Sequence, residues 1–262
     1  MSEIIQRSIT GHVARITLNR PQAGNALSID MLAQLGAALD ETEADADAKV
    51  ILLCAQGHIF CAGHDLKEMT AARAQADGGK AFFSQTMTSC SEVMQKIVSC
   101  KKPVIAVVQG MATAAGCQLV ASCDLALGAS EAKFATPGVH IGLFCSTPMV
   151  ALSRNISRKH AMQMLLTGEA VSADEAEKWG LINAHVPKDM LEEEAQRWAE
   201  NIASKPASTV RIGKSAFYQQ AEMSLADAYH YAAQVMTDNM MEADAEEGIS
   251  AFVEKRTARW QS

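Results

Sequence analysis

The chain lacks the features that mark several classes of protein. None of its apolar runs approaches the roughly 18 residues of a membrane-spanning helix. Its start, MSEIIQRSIT, has neither the basic beginning nor the apolar middle of a secretory signal. Acidic side chains (30) outnumber basic ones (23), and the net charge of −7 argues against nucleic acid as the main partner. We therefore expect a soluble, cytoplasmic protein without a membrane or nucleic-acid partner.

The cysteines fit neither a disulfide framework nor a zinc site. All seven lie outside any CxxC pair, and their number is odd. We expect most of them to be small buried side chains in a reducing compartment. The sequence predicts no metal site.

Short buried strands alternate with helices in the first half of the chain. HVARITLNRP alternates apolar and polar residues and predicts a strand, while KVILLCAQG and PVIAVVQG predict fully buried strands. Helical spacing predicts a helix capped by Ser28, a second over residues 80–99, and a short third over AAGCQLVASC before a strand at DLALGAS. This alternation implies parallel strands joined by crossover connections, which is an α/β fold.

The second half of the chain is mainly helical. Ser172 and Glu175 form a capping box before a helix that Gly180 ends. We expect residues 1–200 to form an α/β core. Residues 201–262 are expected to form a helical region that packs on this core or on a neighbouring subunit.

Two turns built from small residues follow predicted strands. FCAGHDLKEM places Ala62 and Gly63 where the backbone can approach a ligand closely. QGMATAAGCQLVASCDL leads into a helix that begins near Ala115, and the N–H groups of a helix N-terminus stabilise an anion. Placed side by side, the two turns would make an oxyanion hole.

These two motifs, together with NRPQAGNALS, the segment 134–147 and GISAFVEKR, resemble the crotonase (enoyl-CoA hydratase/isomerase) superfamily. GLFCSTP is similar to the branch of hydratase-domain-containing proteins. The resemblance implies a spiral of stacked ββα turns and a C-terminal helical trimerisation region. It also implies homotrimers or dimers of trimers, and an acyl-CoA thioester as substrate or ligand with no further cofactor.

The resemblance also assigns residues to the site. The backbone N–H groups of Ala62 and Ala115 would hold the thioester oxygen. Phe252 and Lys255 of a neighbouring subunit would reach the adenine and phosphate region of CoA. The substrate channel would be lined by Asn25, Ala26, Leu27, Ala62, Gly63, His64, Asp65 and Leu66.

The two glutamates that activate water in the family's hydratases are absent. Their positions hold Gln118, which cannot take a proton, and Gly138, which has no side chain. Proton transfer from a positioned group contributes about 10²–10⁴-fold in rate, so efficient two-glutamate hydration is not expected. Cys145 and Ser146 stand where other branches place an aspartate. They either act on the acyl group, or Cys145 packs in the core and Ser146 caps the next helix.

Three functional hypotheses follow. The chain is an acyl-CoA enzyme that uses the oxyanion hole for decarboxylation, C–C cleavage or thioester hydrolysis, or it is a non-catalytic acyl-CoA-binding protein. An RNA-associated role is least favoured by the acidic balance. His64 faces either the acyl group or solvent, His140 is expected to be packed or solvent-facing, and Asp124 is expected to bond to the main chain.

Overall fold

A computed structural model describes residues 3–262. The strands of this part of the chain are β1 (Ile5–Thr10), β2 (Val13–Leu18), β3 (Val50–Ala55), β4 (Ile59–Cys61), β5 (Val104–Val108), β6 (Met111–Thr113), β7 (Leu125–Ala129), β8 (Lys133–Ala135), β9 (Val171–Ser172) and β10 (Ala184–Val186). Its helices are α1 (Ile29–Ala44), α2 (Leu66–Ala72), α3 (Lys80–Ser99), α4 (Ala115–Ser122), α5 (Ser146–Asn155), α6 (Arg158–Thr167), α7 (Ala173–Trp179), α8 (Leu191–Ala203), α9 (Ala207–Gln220), α10 (Leu225–Met240) and α11 (Ala243–Glu254). Short 3₁₀ helices lie at Pro21–Ala23, Pro137–Ile141 and Lys188–Met190.

The strands form two sheets that the chain visits in turn. The larger has the order β1-β2-β3-β5-β7-β10 and the smaller the order β4-β6-β8-β9. After an antiparallel β1–β2 pair, the larger sheet is parallel. Each repeat takes one strand of the larger sheet, one of the smaller and then a helix, as in β5-β6-α4 and β7-β8-α5. These stacked ββα turns confirm the predicted fold.

The central strands are buried along their whole length. Every residue of β5 and all but the last of β3 are buried, and α8 packs against both strands. Strands covered on both faces need no polar positions, which explains their uninterrupted apolar sequences. The strands predicted at KVILLCAQG and PVIAVVQG are therefore confirmed.

The predicted helix signals are also present. The Ser28 hydroxyl accepts a hydrogen bond from the Met31 N–H at 3.1 Å and caps α1. Ser172 and Glu175 form the capping box of α7. The smaller sheet escaped prediction because strands of two or three residues are too short to show a period.

Helices α9–α11 pack on one another, and α9 is tied to the body by a buried ion pair. The Lys214 ammonium lies 2.7 Å from the Asp124 carboxylate, which also accepts a hydrogen bond from the Val104 N–H at 2.7 Å. The expected bond of Asp124 to the main chain is thus confirmed. Large apolar side chains of these helices and of the turn between α10 and α11 are more than half exposed: Phe217, Leu225, Tyr229, Met236, Met240, Met241, Ile249, Phe252 and Val253. The boundary at residue 200 between the α/β core and the helical region stays a prediction.

Candidate functional site

The N-terminus of α4 lies against the turn that follows β4. A Cβ atom on Gly63, whose φ is +87°, would lie 2.9 Å from the Ala114 Cβ and 3.3 Å from the Ala115 nitrogen. A Cβ on Gly116 would lie only 2.2 Å from the carbonyl oxygen of Cys61. Glycine at these two positions therefore lets the two predicted turns meet.

The main-chain N–H groups of His64 and Ala115 are among those at this junction that have no partner in the part of the chain that is described. The Ala62 N–H donates to the carbonyl of Gly24 at 2.9 Å, so the fold already uses it. The assignment of Ala62 as a donor therefore does not fit the structure, whereas Ala115 retains an unpaired N–H. In the turn that follows β4, the N–H of His64 is a donor that remains unpaired.

Ala114 holds the helix entrance in a conformation that favours glycine. Its φ of 52° and ψ of −118° lie outside the regions that residues with a side chain normally occupy. Such a conformation costs of order 1–3 kcal/mol and is typical of functional sites. Ala115 begins the helix and has no positive φ, so its methyl group does not disturb its N–H.

Asn25 supports the loop that borders this junction. Its side-chain oxygen accepts from the Arg20 N–H at 2.9 Å, and its amide donates to the carbonyls of Gln56 and Ile59. The oxygen and the nitrogen of the Asn25 side chain are therefore already hydrogen-bonded within the protein and are not available to a ligand. Leu27 donates from its N–H to the Gly63 carbonyl at 2.8 Å, which places buried Ala26 and Leu27 beside the turn.

Asp65 and Leu66 begin α2. The Asp65 carboxylate lies 2.8 Å from the Arg20 guanidinium and accepts from the N–H groups of Lys67 and Glu68. Burial opposes its ionisation, but these bonds outweigh burial and hold the pKa of Asp65 below its usual range. Leu66 is half exposed and open to contact.

Three side chains around the junction, two of them buried and the third, that of His64, half-buried, each carry a buried polar atom without a partner in the described chain. They are Gln118 (Oε1), His64 (Nε2) and Thr136 (Oγ1). Gln118 lies one turn after Ala115 on the same face of α4. Burial lowers the pKa of His64, which favours its neutral form. Thr136 was not predicted from the sequence, although its place directly before Pro137 in the segment 134–147 was a signal.

The segment after β8 folds back so that no room is left at Gly138. A Cβ there would lie 2.6 Å from the Leu143 carbonyl oxygen and 2.9 Å from the Cys145 Sγ. Burial raises the pKa of the Cys145 thiol even though the Gly138 N–H opposes it, which favours the unreactive thiol form. The N-cap of α5 is Cys145, so the capping role expected of Ser146 is wrong. The Ser146 hydroxyl instead lies 3.4 Å from the Phe144 carbonyl.

The remaining predicted residues lie away from this junction. His140 is hydrogen-bonded through Nε2 to the carbonyl of Thr167 at 2.8 Å. Phe252 on α11 is 85% exposed, and Lys255, also exposed, ends that helix with a φ of 55°. Within residues 3–262, Lys255 makes no side-chain hydrogen bond or ion pair, and the structure does not bring it to Ala115.

Two further classes of feature are absent from residues 3–262. The helices there are too short or too polar to cross a bilayer. No group of three His, Cys, Asp or Glu side chains there is arranged to hold a metal ion.

Comparison with known proteins assigns the family. Residues 8–262 match the model of the enoyl-CoA hydratase/isomerase family. The chain belongs to that family. It is 49% identical over 249 residues to rat "Enoyl-CoA hydratase domain-containing protein 3, mitochondrial", covering 95% of this chain and 81% of the rat protein.

Solved structures of the family have the same fold. An enoyl-CoA hydratase of Mycobacterium smegmatis superposes with a TM-score of 0.95 at 46% identity, over 100% of both chains. Human enoyl Coenzyme A hydratase domain-containing protein 3 superposes with a TM-score of 0.93 at 43% identity, over 98% of this chain and 100% of that one.

One expectation from the sequence is contradicted by these relatives. We expected a cytoplasmic protein, but the rat relative and its counterparts from mouse, Xenopus laevis, human and Danio rerio are all named as mitochondrial. The prediction of a cytoplasmic location is therefore wrong on this comparison.

Proposed function

We propose that the chain binds acyl-CoA thioesters and stabilises the negative charge that develops on the thioester oxygen. The unpaired N–H groups of His64 and Ala115 carry this proposal. They flank the close contact between Gly63 and the N-terminus of α4, whose partial positive charge adds to their effect. Donors that are fixed in advance of the reaction stabilise such a charge better than water does.

The chemistry proposed is an enolate or acyl-transfer reaction other than efficient hydration. Gln118 cannot accept a proton, and the surroundings of Gly138 leave no space for a carboxylate. An enolate held by two N–H groups can form by decarboxylation or C–C cleavage without a strong base. Thioester hydrolysis is a third possibility for the same oxyanion site.

A second candidate function is acyl-CoA binding without catalysis. It is favoured by the protonated state that burial imposes on the Cys145 thiol, since a buried thiol is a poor nucleophile. In this case Cys145 and Ser146 only shape the acyl pocket. Turnover assays separate the two candidates, because consumption of any acyl-CoA excludes a pure binder. A loss of that turnover in the Cys145→Ala variant would assign the thiol a part in the reaction.

The proposed assembly is a homotrimer or a dimer of trimers. The exposed apolar side chains of α10 and α11 are the surface that such an assembly would cover. Phe252 and Lys255 would then reach the adenine and phosphate region of CoA in a neighbouring subunit, which agrees with their exposure here.

Titration calorimetry with a panel of acyl-CoAs tests the proposal. We expect binding in the low micromolar range or tighter, whereas no binding to any thioester contradicts both candidate functions. Infrared spectra of bound butyryl-CoA should show the thioester C=O stretch at lower wavenumber than in water. Hydration of crotonyl-CoA at a rate normal for a hydratase would contradict the roles given to Gln118 and Gly138.

A further inference from the structure

Unpaired buried polar atoms are concentrated around the N-terminus of α4. Of the six such side-chain atoms in residues 3–262, three belong to His64, Gln118 and Thr136. Leaving a buried polar atom without a partner costs roughly 1–3 kcal/mol. Three such costs at one place indicate that the atoms are partnered by something outside the chain, either water or a ligand.

The three side chains surround a single backbone junction. Thr136 follows Ala135, whose carbonyl accepts from the Ala114 N–H at 2.9 Å. Gln118 donates from its N–H to the Ala114 carbonyl at 3.1 Å, and His64 follows the glycine that contacts Ala114. Helical side chains lean toward the N-terminus of their helix, and the Gln118 side chain, only 3% exposed, lies on the face of α4 that also carries Ala115.

The acidic side chains nearest to this junction along the chain are already paired. The nearest carboxylates along the chain are those of Asp65 and Glu68. Asp65 is paired with Arg20, and Glu68 accepts a hydrogen bond from the Ile29 N–H at 3.1 Å. Gln118, His64 in its neutral form and Thr136 add no charge, while the N-terminus of α4 adds a partial positive one.

Resting on the function proposed above, we propose that the acyl pocket takes CoA monothioesters of short dicarboxylic acids, and that Gln118 determines this specificity. The Oε1 atom of the Gln118 amide has no partner in the described chain, and a rotation of the amide would present its N–H₂ group to the free carboxylate of the acyl group. The Thr136 hydroxyl and the His64 ring supply further donors. A plain alkyl acyl group would leave all three unpaired, and a glutamate at position 118 would repel the carboxylate.

The test compares acyl groups that differ only in a terminal methyl or carboxylate. Calorimetry at fixed ionic strength is run with succinyl-CoA against butyryl-CoA and with malonyl-CoA against propionyl-CoA. In at least one pair the carboxylate ligand should bind about tenfold more tightly or better. Equal affinities in both pairs overturn the inference alone. Absence of binding by all four ligands overturns the proposed function as well.

Two variants test whether Gln118 and Thr136 cause the preference for a carboxylate ligand. Gln118→Glu keeps the shape and adds a negative charge, so the carboxylate ligand should lose about tenfold or more in affinity while its alkyl partner changes less than about threefold. Thr136→Val removes one donor and should weaken only the carboxylate ligand, by roughly threefold to tenfold. Gln6→Glu on exposed β1 is the matched control for the added charge. An equal loss for both ligands of a pair in both site variants would contradict a specificity role.

Discussion

The two ends of helix α4 use their polar groups in opposite ways. Just beyond its C-terminal end, the Asp124 carboxylate accepts hydrogen bonds from the Val104 N–H, the Lys214 ammonium and the Tyr218 hydroxyl at 2.7, 2.7 and 2.9 Å. At its N-terminal end, the Ala115 N–H and the Gln118 Oε1 have no partner among the described residues. Since folded proteins pair their buried polar groups, the first end is structural, and the unpaired groups of the second end fit the ligand site proposed above.

The largest expected effect of a mutation is on the stability of the protein, at the C-terminal end of α4. Lys214→Met leaves the Asp124 carboxylate buried without its cation, and we expect a loss of about 3–5 kcal/mol in the free energy of unfolding. Chemical denaturation measures this loss. The same substitution at exposed Lys159 is the control. A loss below about 1 kcal/mol would show that α9 does not depend on this ion pair.

The segment 134–147 should be destabilised by any side chain introduced at position 138. Gly138→Ala brings a methyl group against the Leu143 carbonyl and the Cys145 sulfur, and overpacking of this kind costs about 1–3 kcal/mol. Because Cys145→Ala removes the sulfur, the double variant should recover part of the loss. Denaturation of the four proteins of this cycle gives the coupling energy, for which we expect at least about 0.5 kcal/mol. Strictly additive effects would mean that Cys145 does not fill the space at Gly138.

The sequence predicted the fold well where the information is local. The buried strands β3 and β5 and the capped helices α1 and α7 carry their signals in consecutive residues. Of the two N–H groups proposed as oxyanion donors, only that of Ala115 was predicted from the sequence. Ala62 and His64 flank the same glycine, and only the position of the distant Gly24 carbonyl decides which N–H is already paired.

Two other properties of the site depend on the same kind of long-range contact. The Asn25 side chain is committed to carbonyls of a distant loop, and the space at Gly138 is filled by Cys145. A local pattern identifies which residue types are present at a site. It does not show which atoms the rest of the fold has already paired.

Relief of backbone strain at the N-terminal end of α4 should have a smaller effect. Ala114→Gly removes a side chain from a conformation with φ of 52°, and we expect a gain of about 1 kcal/mol after the entropic cost of glycine. Ala115→Gly is the matched control, because Ala115 is helical and should lose up to about 1 kcal/mol instead. Both are measured by chemical denaturation. Equal destabilisation by the two substitutions would show that Ala114 is not strained.

The smallest expected effect is on the pH dependence of stability and comes from the His64 ring. Burial lowers the pKa of His64 in the folded protein below the value of about 6.5 that histidine has when unfolded. Between these two pKa values the unfolded chain binds more protons, so the free energy of unfolding should fall as the pH is lowered through this window. His64→Gln should reduce this fall, as measured by denaturation at pH values on either side of about 6.5. The matched control is His58→Gln on an exposed loop. An unchanged pH dependence in His64→Gln would mean that the ring is solvated at the N-terminal end of α4 rather than held there in its neutral form.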